Sequence, residues 1–300
     1  MIPVDLKGKV ALVTGVADNV GFGWHIATKL QEAGADVILA SHPRVVGIVE
    51  RFLSGKKYAE SRQLGNGEEF APKALLACDV EFDTAEDVPD DVKDKKGYVG
   101  KDVSIAGCLE EVKKLTPHLD IVIHSVGFSP EITIGHDKVS RAAYLKTLSI
   151  SSYSLVSLSR ACRPLMEGRN GSIVGLSFFA ANKVYPEYGG GMGTAKAALE
   201  SDARNLAWFF GKEGHRVNIV SPGPYGSRAA KSIGDIDKMV RISSHRSPIE
   251  RGITADEVAN ATLFMCSDYS KGITGQCLYV DNGYNIMGAV EDPPYPAAES

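Results

Sequence analysis

The sequence predicts an α/β protein: a Rossmann-type doubly wound parallel sheet, three layers deep (α/β/α), in a single domain. Two observations carry this prediction. Short, near-continuously apolar runs alternate with longer amphipathic stretches, as strands covered on both faces require. The first of these runs ends in glycines that lead straight into a helix pattern, which is where this fold turns its first strand into its first helix. The 300 residues, 44% hydrophobic and 23% charged, suffice for one sizeable core.

Val10–Thr14 (VALVT) reads as a buried strand, followed by a helix from about 23 to 33 that Gly34 closes. Residues 37–40 and 74–80 are the next strands, and 120–126 (DIVIHSV) is a fourth. A long helix is expected over 141–166 and a fifth strand over 172–176. A helix over 194–212 and strands at 217–220 and 277–280, with a helix over 254–265 between them, complete the pattern. The single domain spans 1–288, with polar surface insertions near 43–73 and 81–103. The segment 289–300 (EDPPYPAAES at its end) reads as a flexible tail.

Composition excludes several functions. The net charge of −4 argues against a general nucleic-acid binder. No apolar run approaches the roughly 18 residues of a membrane span. The first residues carry neither a signal-peptide core nor a transit pattern. The five cysteines are scattered and never spaced CxxC, so they read as reduced thiols and no metal site is expected.

The first β-α turn runs Thr14-Gly15-Val16-Ala17, then Gly21-Phe22-Gly23-Trp24. A glycine turn of this kind lets the backbone approach a pyrophosphate, and the helix start supplies free N–H groups. Otherwise it is a plain tight turn. The second strand ends Ala40-Ser41-His42-Pro43-Arg44, without the acid that would bind adenosine ribose hydroxyls. Ser41 and Arg44 could accept a 2′-phosphate there, or Arg44 is a solvated charge. Asp79, before Val80, either accepts from an adenine amino group or caps the next segment.

The segment after the fifth strand holds Tyr185, Tyr188, Met192 and Lys196. Were it helical throughout, Tyr188, Met192 and Lys196 would share one broad face, with about 12 Å between the end Cα atoms. Hydride addition to an unsaturated carbonyl system builds negative charge on oxygen, which a phenol can meet with a hydrogen bond. A neighbouring lysine cation favours the ionised phenol and can hold ribose hydroxyls. A surface lysine beside a packing tyrosine is the plainer reading.

Several blocks carry a resemblance: VADNVGFGW (16–24), AEDVPDDVK (85–93), VSRAAYL (139–145), YGGGMGTAKAALESD (188–202), GPYGSRAAKSIG (223–234) and YVDNG (279–283). With these the chain resembles, over nearly its whole length, the enoyl-acyl-carrier-protein reductases of type II fatty acid synthesis, most closely their plant, apicomplexan and chlamydial branch. The resemblance implies reduction of trans-2-enoyl thioesters by NADH, with NADPH as the second choice. It implies Tyr188 as the group that polarises the thioester carbonyl and Lys196 as the holder of the nicotinamide ribose. Gly15, Ala17, Gly21, Trp24, Asp79, Val80, Ser125, Val126, Gly127, Gly223, Pro224 and Ser227 would meet the cofactor. Phe178, Met192, Ala229, Ala230 and Ile233 would meet the acyl chain. Acyl carrier protein is the implied partner, a homotetramer the implied assembly, and the bacterial cytoplasm or the plastid stroma the implied compartment.

The chain departs from the family's pattern in places. Phe178 stands where the family has a second tyrosine, and Val126-Gly127-Phe128 where it has Leu-Ala-Asn. No tryptophan lies near His42. Ser177 is retained as a possible donor. Arg228, Lys231, Lys238, Arg241, Arg246 and Arg251 form either a docking patch for an acidic carrier or a mixed-charge helix face. Two other readings remain open: a short-chain carbonyl or 3-oxoacyl reductase, and a nicotinamide-binding protein with weak or lost catalysis.

Overall fold

The computed structural model describes residues 4–227 and 236–288. Seven parallel strands form one sheet: β1 (Val10–Thr14), β2 (Asp36–Ser41), β3 (Ala74–Ala77), β4 (Ile121–His124), β5 (Ser172–Leu176), β6 (Arg216–Pro222) and β7 (Cys277–Val280). Their order is β3-β2-β1-β4-β5-β6-β7. The order reverses between β1 and β4, whose registers pair Thr14 with His124. At such a reversal the flanking connections leave to opposite faces and a crevice opens at the carboxyl ends of the strands.

Successive side chains of a strand point to opposite faces, so β1 feeds two cores. Val10 and Leu12 pack with α4 (Ile105–Leu115), α6 (Ser154–Met166) and α7 (Met192–Gly211). Ala11 and Val13 pack with α1 (Phe22–Glu32), α2 (Val46–Ser54) and α9 (Ala255–Cys266). Leu12, Ile38, Leu155 and Leu199 are fully buried; each such side chain contributes roughly 1.5–3 kcal/mol.

The expected strands are all present, three of them with the expected bounds and the others with ends moved by at most three residues. Segment 43–73 is more than an insertion. It holds α2, the crossover from β2 to β3, with Val49, Leu64 and Phe70 buried. Segment 81–103 carries the short α3 (Asp90–Lys93) and a satellite cluster of Phe82, Val88, Tyr98 and Val103. α4 begins at a Ser104 cap that accepts from the Gly107 N–H. The long helix expected over 141–166 is α5 (Arg141–Leu148), a π turn over Ser149–Tyr153, then α6. Within the π turn the Ser151 hydroxyl donates to the Phe128 carbonyl and accepts from its N–H, both at 2.9 Å. The widened turn thus clamps the loop that leaves β4, the kind of service for which such bulges persist. α8 (Ile236–Arg246) follows β6.

Candidate active site

At the sheet reversal lies a cavity of about 510 Å³. One wall is the glycine turn. Gly15 has φ +78°, and a β-carbon there would stand 2.1 Å from the Ser125 carbonyl oxygen. No other residue allows the ends of β1 and β4 to come so close. Asp18, buried in the turn, accepts from the N–H groups of Val20 and Gly21 at 3.0 and 2.7 Å. This fixes the start of α1, whose first-turn N–H groups have no partners inside the helix. Gly15, Ala17, Gly21, Phe22 and Gly23 face the cavity, as do Ser125, Val126 and Gly127 across it. A close-approach glycine and a helix start aimed into one crevice fit a dinucleotide pyrophosphate.

The other end is built by the β5–α7 connection. Gly191 (φ +79°) opens α7, and a β-carbon on Gly190 would stand 2.1 Å from the Ser129 hydroxyl. The glycine run therefore seats the chain against the loop after β4. Tyr188 lies in the turn before α7, so the segment is not helical throughout. The reason is that Gly190 and Gly191 adopt left-handed backbone. Tyr188 still lines the cavity with Met192 and Lys196. Its ring packs 4.8 Å from that of Phe178, and its hydroxyl has no hydrogen-bond partner among the described residues. Burial pushes the phenol pKa up. The phenol is therefore neutral at physiological pH, the form that can donate a hydrogen bond.

Lys196 is 5% exposed. Its ammonium donates to the carbonyls of Leu176 at 2.8 Å and Val126 at 3.2 Å, tying together the exits of β5 and β4. Burial lowers its pKa to about 8, opposed by the charge of Glu200. Beneath it, His124 is held neutral by burial and by the lysine charge, with its pKa near 3. Pro222, Gly223, Pro224 and Ser227 close a third side, and the rings of Phe22 and Tyr225 lie 5.1 Å apart at the rim.

Some expected residues lie elsewhere. Ser41 is fully buried and its hydroxyl donates to the Val16 carbonyl at 2.6 Å, so it cannot serve a 2′-phosphate. Arg44 lines a separate hollow outside the β3 edge with Arg51, Lys96 and Lys101. Asp79 and Val80 are not among the cavity's lining residues. The Asp79 carboxylate accepts from the Tyr98 hydroxyl at 2.7 Å and lies 3.4 Å from His42. Trp24 borders the cavity, and its indole turns into the core between Phe52 and Phe70 and donates to the Ser61 carbonyl. Ser177 spends its donor on Glu200 at 2.7 Å. Ala229, Ala230, Ile233, Arg228 and Lys231 lie outside the described residues, as does 289–300.

Sequence reasoning missed Asp18, Phe128, Ile132, Ile236 and Met239, all in the lining. Asp18 stood in the quoted turn, and its position as an Asx-type acceptor was the available signal. The last two come from α8, which a mixed-charge sequence concealed.

Comparison with known proteins fits this geometry. Residues 68–285 match the model of the family described as "Enoyl-(Acyl carrier protein) reductase". The chain is 44% identical to the chloroplastic NADH enoyl-[acyl-carrier-protein] reductase of Arabidopsis thaliana, over 98% of this chain and 75% of that one. It is 35% identical to the NADH enzyme of Aquifex aeolicus, over 94% and 93%. The structure of the Plasmodium berghei enoyl-acyl-carrier-protein reductase with triclosan superposes with a TM-score of 0.91 at 34% identity, covering 95% of this chain and all of that one. With a phenol and a buried ammonium facing a dinucleotide crevice at the sheet reversal, and with this likeness spanning nearly its whole length, the chain belongs to the enoyl-[acyl-carrier-protein] reductases.

Proposed function

We propose that this protein reduces trans-2-enoyl thioesters carried on acyl carrier protein, using NADH, in fatty acid synthesis. The observation that carries the reading is the hydroxyl of Tyr188, without a hydrogen-bond partner among the described residues, sharing one cavity with the Lys196 ammonium. NADH supplies the hydride for the substrate's β-carbon. Gly15, Ala17 and the start of α1 hold the pyrophosphate, and Ser125–Gly127 with Gly223 and Pro224 border the nicotinamide. Lys196 gives two of its protons to carbonyls and keeps the third for the ribose. Tyr188 donates to the thioester oxygen as negative charge gathers there, and a proton then reaches the α-carbon. Such a donor in a dry site is worth about 10²–10³ in rate.

Phe178, Met192, Ile236 and Met239 give the acyl end an apolar wall. With Phe178 in place, Tyr188 is the phenol among the described residues at this wall, and the cavity's other tyrosine, Tyr225, stands at the rim against Phe22. For the carrier, Arg241 on α8 is exposed, whereas Lys238 pairs with Glu187 at 3.1 Å and Arg251 pairs with Glu257. Arg241 is the docking cation this surface favours. Trp208 and Phe209 on α7, 68% and 57% exposed, with Leu145 and Tyr153 near the π turn, offer apolar surface for a homotetramer. No helix among the described residues is long and apolar enough to cross a membrane. The compartment is the cytoplasm for a bacterial source and the plastid stroma for a processed eukaryotic one.

The test compares crotonyl and acetoacetyl thioesters side by side with NADH and with NADPH. Turnover of the crotonyl substrate alone, with NADH favoured, is expected. Preference for the acetoacetyl substrate would identify a carbonyl reductase, and cofactor binding without turnover would identify a sensor.

A further inference from the structure

One buried acid near the cavity has no part in the chemistry above. Glu200 lies on α7 one turn after Lys196 and is 6% exposed. Its carboxylate is held from three directions. The Ser177 hydroxyl, at the exit of β5, donates to Oε1 at 2.7 Å. The Asn182 amide donates to Oε2 at 3.1 Å and also to the Tyr279 hydroxyl at 2.9 Å. The Cys277 thiol of β7 approaches Oε1 at 3.8 Å. A charge taken out of water is tolerated only where it is hydrogen-bonded and paired, and no salt bridge within 4 Å involves Glu200 among the described residues. Two opposite charges stand four residues from it on its own helix: Arg204, which is exposed, and Lys196, itself buried and held only by neutral carbonyls.

We propose that Glu200 is a positioning residue for Lys196: the fixed counter-charge that keeps it an ammonium and the anchor that ties the β5 exit and the 182 loop to α7. The inference rests on the reductase reading for its meaning, because it is the charged lysine that holds the ribose. The groups around the pair agree with it. From β4 the lysine faces His124, which is neutral; from its own helix it faces Glu200; across the cavity it faces the neutral phenol of Tyr188. Glu200 faces Ser177, Asn182, Cys277 and Tyr279, all uncharged at neutral pH, and Arg204 a further turn along α7 is exposed. Among the described residues Glu200 is thus the anionic influence on Lys196, and it works against burial. The same carboxylate takes up the hydroxyl of Ser177, next to Phe178.

The experiment is NADH binding by fluorescence titration and kcat/KM for crotonyl-coenzyme A, each from about pH 6 to pH 10, for the parent and Glu200→Gln. Glutamine keeps the size and an acceptor for Ser177 while removing the charge. The alkaline limb should move down by about one pH unit, so that near pH 9 the affinity is about 5- to 10-fold weaker than in the parent while near pH 6.5 it stays within about 3-fold. A merely structural role would lower the melting temperature and leave the limb in place, and that result overturns the proposal. Should Glu200→Gln not fold, Glu200→Asp decides: its charge stands on a shorter arm, and the limb should move the same way by about 0.3–0.5 unit. A limb identical to the parent's overturns the proposal in that case too. Failure of the parent to turn over any enoyl thioester would strike the reductase reading instead, and the binding titration would still read the Glu200 effect.

Discussion

Replacing Tyr188 by phenylalanine separates chemistry from stability in this protein. The substitution removes one oxygen. The ring keeps its place 4.8 Å from Phe178 and against the surrounding aromatic cluster. Because the hydroxyl has no partner among the described residues, no protein hydrogen bond is lost and no buried group is left unsatisfied. The stability change should stay within about 0.5 kcal/mol, or about 1–2 °C in melting temperature. The transition state, in contrast, loses a neutral donor placed where charge develops. Turnover should fall about 10- to 1000-fold, equivalent to roughly 1.4–4 kcal/mol. Steady-state oxidation of NADH with crotonyl-coenzyme A, alongside a thermal melt of each variant, measures both quantities. Parental turnover in Tyr188→Phe would refute the role given to this phenol and pass it to Tyr185, whose ring also packs against Phe178. A large fall in melting temperature would show that the hydroxyl has a structural partner after all.

Three further perturbations bear on the account. Gly15→Ala places a β-carbon 2.1 Å from a backbone oxygen in a left-handed residue; beyond the roughly 1–2 kcal/mol of backbone strain the strand ends must part, and NADH affinity measured by fluorescence should fall at least about 100-fold. Lys196→Met tests the buried charge without any ligand. The folded pKa near 8 lies below the ordinary lysine value of 10.5, so the unfolded chain holds this proton longer, and this lysine's contribution to stability is least favourable below about pH 8 and improves as pH rises to about 10.5. The melting-temperature difference between parent and variant should therefore shift in the parent's favour across that window; the two lost hydrogen bonds displace the whole curve and leave its slope alone. Arg241→Glu should raise KM for carrier-bound substrate and leave KM for a coenzyme A thioester unchanged, and equal effects on both would remove Arg241 from the docking surface.

Much of this architecture was legible in sequence because it depends on local pattern. Apolar runs such as VALVT and SIVGL mark strands buried on both faces, and the glycine turn after the first marks the crevice. The misplaced features depend on contacts far apart in the chain. α2 lies in a polar stretch and shows as a helix only through Val49 and Phe52 meeting the α1 face. Tyr188 stands in a turn ahead of α7 because Gly190 and Gly191 turn left-handed to fit Ser129 and Tyr144. Ser41 had the right place but the wrong direction, since its hydroxyl is needed by Val16. The Asp79–Tyr98–His42 group joins residues up to 56 positions apart. Glu200 sat inside a quoted motif, yet its meaning required Ser177, Asn182 and Cys277 to be brought around it.

Isotope transfer tests the central claim most directly. Crotonyl-coenzyme A is incubated with the protein and NADH deuterated at the reactive face of C4, and the thioester product is analysed by mass spectrometry and NMR. The account predicts a saturated butyryl product with one deuterium on the β-carbon and a solvent-derived proton on the α-carbon. Unlabelled or unreduced substrate from a folded, NADH-binding protein would contradict it.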